Sequence, residues 1–265
     1  MDLSSDSIVG LGSAALAIVS AVVSGVSATR ANRQAAELER QQRRETAAEA
    51  ARRIVNQYRD PLIDAAQTLQ SRLGNIVKGG YLDRYLHCGD PLEERYARDY
   101  TVYALAEYLC WAEIVRRELR FLDGGADEDN PKVLAYLAQA QVTIQSDRIP
   151  QPLRVFRGAQ RAIAELMMVP TNAPEGPRSE AMGYARFCQC LDTDPVFAGW
   201  FQRLRSADID AIAAGGEEAS LRLSILSHDL IDLIDFLDPK AARVPKQLRR
   251  RVSEKRPGPE LTVVI

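Results

Sequence analysis

DPLIDAAQTLQSRLGNIVKGG, from Asp60 to Gly80, sets the grammar of this chain. Asp60 can cap a helix, and Pro61 fits a first helical turn, where no backbone N–H is needed. Leu62, Ala65, Ala66, Leu69, Leu73 and Ile76 then recur at steps of three and four, which lines apolar side chains along one helix face. Gly79–Gly80 stops the run. The stretch predicts an amphipathic helix that buries one face, and so a body made by packing helices.

The same pattern repeats toward the C-terminus. A long helix is expected from Leu92 to Leu122, with Tyr96, Tyr100, Tyr103, Ala104, Leu109, Trp111, Val115 and Leu119 as apolar content, stopped by Asp123-Gly124-Gly125. Asn130–Pro131 repeats the cap-plus-proline signal and opens a helix to about Ser146. After Pro150 and Pro152, Arg154 to Val169 reads as a helix ended by Pro170. Thr171 to Pro177 reads as a loop. Shorter helices follow at Glu180–Leu191 and Pro195–Ala213. A last helix, Glu217–Leu237, carries Leu221, Leu223, Leu226, Leu230, Leu233, Ile234 and Leu237. No segment alternates with a period of two and no repeat of fixed length recurs, so the expected fold is all-α: a bundle of six or seven helices over residues 60–238.

Toward the N-terminus, residues 29–59 lack Gly and Pro and are rich in Ala, Glu, Gln and Arg, all strong helix formers. Their apolar positions are thin, with Gln42 and Glu45 where a coiled coil would place Leu or Ile, so a mostly solvated stalk is expected. Before it lies IVGLGSAALAIVSAVVSGVSA, Ile8 to Ala28, 21 residues without a charge or a proline. At 1.5 Å per residue this is about 31 Å of helix, close to the thickness of a bilayer core. A cleaved signal peptide would begin with positive charge, whereas Asp2 and Asp6 stand here. A buried helix of a water-soluble domain would leave the polar stretch after it projecting from the core. A single transmembrane helix is therefore expected at residues 8–28. Arg30, Arg33, Arg40, Arg43 and Arg44 follow it, which orients the N-terminus outward and places the helical domain at the cytoplasmic face of the inner membrane. Ser13, Ala17, Ala21 and Gly25 recur every four residues; such a stripe can pack helix on helix, or arise by chance in an Ala/Ser/Gly-rich segment.

Composition narrows the chemistry. A net charge of -2 over 265 residues excludes a globally basic nucleic-acid binder, and four cysteines are too few for a disulfide scaffold. His87, Cys88, Cys188 and Cys190 lack the spacing of zinc motifs. No phosphate-binding glycine loop, H-E-x-x-H or G-x-S-x-G occurs. No cofactor, metal site or catalytic residue is expected. Arg154, Arg157 and Arg161, at i, i+3 and i+7, would share one face of a helix and could grip a phosphate or carboxylate, or pair with Glu107, Glu113, Glu118 or Glu165. Asp229, Asp232, Asp235 and Asp238 recur every three residues, drift around a helix, and read as a solvated face. Pro239 to Ile265 holds eight basic residues among prolines and reads as a disordered tail able to contact anionic lipid.

YRDPLIDAAQTLQSRLGNIV (Tyr58–Val77), YALAEYLCWAEIVRRELRFLD (Tyr103–Asp123), LRVFRGAQRAIAELMM (Leu153–Met168) and DLIDFLDP (Asp232–Pro239 with its preceding turn) resemble segments of a group of uncharacterised bacterial membrane-anchored helical proteins. The resemblance implies the same architecture and carries no activity or site residues. Together these features lead to the expectation of a membrane-tethered interaction or scaffold module with a protein partner. An anion-binding enzyme or sensor, and an oligomeric membrane effector built on the small-residue stripe, are the alternatives.

Overall fold

A computed structural model describes residues 5–120, 129–173, 176–215 and 217–252, with the side chains of residues 5–32, 51, 54, 55, 120, 129, 130, 173, 176, 177 and 217 outside that description. The chain divides into two units between Ala50 and Ala51. In the first, Arg33 to Thr46 stand exposed along helix α1 (Ser5–Gly79), and Glu39 pairs with Arg43 one turn on at 2.5 Å. Among the described residues no helix is long and apolar enough to cross a membrane. The expected span at 8–28, and its stripe of Ser13, Ala17, Ala21 and Gly25, lie outside the described side chains.

The second unit is helical: the end of α1, then α2 (Tyr81–Tyr85), α3 (Pro91–Arg120), α4 (Asp129–Gln145), α5 (Arg157–Met167), α6 (Tyr184–Thr193), α7 (Pro195–Arg203), α8 (Ile209–Ala213) and α9 (Glu217–Leu237). A π turn, Leu204–Asp208, joins α7 to α8, so that Leu204, Asp208, Ile209 and Ile212 are all buried. Two helices form the centre. On α3, every residue from Thr101 to Cys110 except Glu107 is buried, and on α9 every residue from Arg222 to Ile231 is. Helices buried around their circumference need neighbours on all sides. Here α3 packs on α5 and α6, and α9 on α4.

The structure departs from the sequence expectation at several places. First, α1 runs straight through Pro61 instead of restarting there. An interior proline costs about 3 kcal/mol. Tyr58, Leu62, Ile63, Ala65 and Ala66 are all buried around it, and burying Leu62 and Ile63 alone returns about 1.5–3 kcal/mol each. Asp60 caps nothing and instead pairs with Arg243 at 2.9 Å. Second, the expected loop is an antiparallel hairpin, β1 (Met168–Ala173) and β2 (Gly176–Ala181), with Met168 opposite Ala181 and Ala173 opposite Gly176. Pro170 and Pro177 hide it from a period-two search. They are tolerated because both strands of a two-stranded ribbon are edges. Third, residues 239–252 are not a free tail but a strap laid on α1 and α9, with Val244 and Val252 buried.

One buried cation closes the core. Arg222 on α9 is fully buried without a carboxylate partner. Its guanidinium donates to the carbonyls of Thr143, Ile144, Ser146, Ile149, Pro150 and Pro152, holding the end of α4 and the loop after it. A helix C-terminus leaves carbonyls without partners and carries negative partial charge, so an arginine satisfies both needs at once. Burial lowers its pKa to about 10, which leaves it charged at neutral pH.

Candidate functional site

The three candidate arginines do not form one helical face. Residue 156 is the N-cap of α5, so Arg154 sits outside the helix in extended chain, with its guanidinium 5.1 Å over the Phe156 ring. The i, i+3, i+7 geometry fails because the helix starts three residues later than its pattern suggested. Arg157 and Arg161, four apart on α5, still share a face. Their expected glutamate partners are engaged elsewhere: Glu113 by Arg116 and Arg117, Glu165 by Arg117, and Glu107 by the Tyr103 hydroxyl at 3.0 Å. Burial pushes the Glu113 carboxyl up, but the hydrogen bonds from Arg116 and Arg117 outweigh it and hold the group below its ordinary value. Burial raises the pKa of Glu107.

His87, Cys88, Cys188 and Cys190 do not converge: His87 lies 3.7 Å from Asp210, Cys88 is exposed, and the other two are on α6. Among the described residues no group of His, Cys, Asp or Glu is arranged to hold a metal ion.

The acidic stripe of α9 is not a solvated face. Asp229 accepts from Thr143 of α4, Asp232 pairs with Arg251, and Asp235 and Asp238 both take Arg249, at 2.7 Å each. The drift of the stripe around α9 is what lets it hold α4 on one side and the strap on the other. Asp238 also accepts the backbone N–H groups of Ala242, Arg243 and Val244 at 2.9, 3.1 and 2.9 Å. Burial pushes its carboxyl up, yet these hydrogen bonds, with Arg249 beside them, bring it below the usual aspartate range. On the α1 side Arg243 is gripped by Asp60 and by both oxygens of Asp64, and His228 Nε2 lies 2.6 Å from the carbonyl of Val252.

The docked strap makes a groove. Between it and the last turns of α1 lies an open cavity of about 460 Å³, lined by Gln67, Gln70, Ser71, Asn75 and Lys78 from the helix and Arg250 from the strap. The helical positions are spaced 3, 1, 4 and 3, one polar stripe beside the apolar stripe that enters the core. Gly74 lies in the same wall with open space where a side chain would project. Gln70 is only 3% exposed. Its Nε2 donates to the Arg250 carbonyl at 3.2 Å, while its Oε1 is buried without a partner, as is that of Gln67. The carbonyl partner fixes the amide orientation, since only the NH₂ end can donate to it. Lys78 Nζ donates to the Arg251 carbonyl at 2.7 Å, and Arg250 Nε to that of Gln247 at 3.0 Å. Among the described residues lining the groove none is acidic. The site offers positive charge and a wall without bulk at Gly74, beside two buried amide oxygens that accept no hydrogen bond, which suits capture of an anionic group.

The chain matches no family model, no curated protein and no solved structure.

Proposed function

We propose that this protein is a membrane-tethered helical binding module. Residues 8–28 span the inner membrane of a bacterium, the stalk carries the helical domain on the cytoplasmic side, and the domain takes its partner or ligand at the groove between α1 and the strap. The observation that carries the binding role is the buried, unpartnered Oε1 of Gln70 beside Lys78 and Arg250. A buried acceptor without a donor costs about 1–3 kcal/mol, which an incoming N–H or O–H recovers. The tether is supported by the 21 uncharged residues and the arginines that follow them. The membrane contact at 8–28 and self-association through Ser13, Ala17, Ala21 and Gly25 belong to this proposal, as does the likeness to membrane-anchored helical proteins.

Two measurements test it. Fractionation of the full chain is expected to recover it in membranes, released by detergent but not by high salt, with a periplasmic reporter active only at the N-terminus. Crosslinking from native membranes is expected to capture a partner or ligand that Gly74→Trp, which fills the groove, no longer retains. Recovery of the intact chain without detergent would overturn the tether, and capture indifferent to Gly74→Trp would overturn the groove.

A further inference from the structure

We infer that the groove between α1 and the strap is a site for a phosphorylated polyol. This deepens the binding role just proposed and rests on it. The charge comes first. Lys78 and Arg250 line the cavity with no carboxylate among its described lining residues, so the preferred ligand carries negative charge. Lys78 has three N–H donors and uses one on the Arg251 carbonyl; Arg250 has five and uses one on that of Gln247. Six donors remain. A phosphate, with three terminal oxygens, can take them more fully than a carboxylate with two, and a guanidinium matches two of those oxygens at once.

The same wall also asks for the opposite polarity. Gln67 and Gln70 line the groove with buried amide oxygens that accept nothing, and Gln70 is nearly fully buried. A ligand that brings two donors, spaced to reach one helical turn of α1, satisfies both once the amides turn toward it. Ser71 and Asn75 line the same wall and can give or take a hydrogen bond each. A body of neighbouring hydroxyls joined to a phosphate carries both kinds of group. The volume, about 460 Å³, lies in the range of small-molecule sites. Such a phosphate could belong to a free sugar or glycerol phosphate, or to the headgroup of a glycerophospholipid.

The full chain in detergent micelles is titrated calorimetrically with ribose 5-phosphate and glycerol 3-phosphate, and with inorganic phosphate and ribose as the separate halves. Flotation with phosphatidylglycerol and with phosphatidylcholine vesicles tests the lipid source. A phosphorylated polyol is expected to bind at least tenfold more tightly than either half. Lys78→Met with Arg250→Met should weaken it at least tenfold, and Gly74→Trp should abolish it. Gly74→Ala, whose added Cβ meets only open space, should bind as the parent does and shows that the helix tolerates a side chain there. Groove-dependent capture of phosphatidylglycerol vesicles, with no response to the soluble probes, would assign the headgroup. Absence of binding to every phosphorylated probe at millimolar concentration, or binding that survives Gly74→Trp, overturns the inference. Because the tether itself holds the chain to vesicles, only the difference between parent and Gly74→Trp counts there. Membrane recovery reads the tether alone, so the two readings can fail separately.

Discussion

Replacing Asp238 by alanine should release the strap while leaving the helical core folded. The carboxylate accepts three backbone N–H groups and Arg249 Nη2, and it is only 7% exposed. Hydrogen bonds to a charged group contribute about 1.5–3 kcal/mol each. Four in one network do not add, and breaking a buried pair costs about 3–5 kcal/mol. We take about 4 kcal/mol, a shift of nearly a thousandfold in the docking equilibrium. The assay is hydrogen exchange at Ala242, Arg243 and Val244, with limited trypsin cleavage after Arg243 and Lys246. Both should accelerate sharply in Asp238→Ala. Asp235→Ala is the control: Asp235 is half exposed and takes one bond from Arg249, so its loss should cost less than about 1 kcal/mol. The same carboxylate gives a pH dependence. Its folded pKa is depressed, so its contribution is complete above the ordinary aspartate value of about 4 and is lost as pH falls through the lower folded value. Strap protection should thus hold through neutral pH, begin to fall below about 4 and be gone once pH lies under the folded value. Unchanged exchange in Asp238→Ala, or equal effects of Asp235→Ala, would refute this account.

Three further outcomes are expected. Arg222→Met should cost about 3–5 kcal/mol in denaturant unfolding, since six carbonyls lose their donor; Arg222→Lys should recover under half of that, because a single ammonium cannot span them. Pro61→Ala should raise stability by about 1–3 kcal/mol in a thermal melt, as it restores a backbone donor inside α1. In native protein at pH 8 Cys88, which is exposed, should react with a maleimide within minutes; Cys110, buried and with its thiol pushed up to about 12, should react only after unfolding, as mass mapping will read.

Much of the fold was legible in the sequence because helix signals are local. The run Pro195–Ala213 is helical throughout and Glu217–Leu237 matches its expected bounds, since Asp194 caps the first and the leucine pattern of the second is dense. What failed was tertiary. Pro61 was read by its local chemistry, whereas buried neighbours decide its place. The hairpin at 168–181 has no alternation to betray it. Arg154 was assigned to a helix that begins at Arg157. The groove lay half in view: Gln67, Gln70, Ser71, Asn75 and Lys78 form an uncharged polar stripe ending in a cation, on the back of the apolar pattern that was read. Its other wall, Gln247 to Arg250, could not be found from spacing. Pairing across 180 residues depends on the strap's arginines meeting Asp60, Asp64, Asp235 and Asp238 in space.

The strap's grip on α1 has a consequence for how the protein is made. Arg243 and Asp64 are 179 residues apart, and a ribosome adding about 5–20 residues per second takes roughly 10 to 35 s to supply the second after the first. Throughout that interval the face of α1 around Gln70 has no cover, and the hollow that later receives Val244 stays wet. A newly made chain therefore offers holdase chaperones the uncovered seat of Val244, which shuts only when the last clasp arrives.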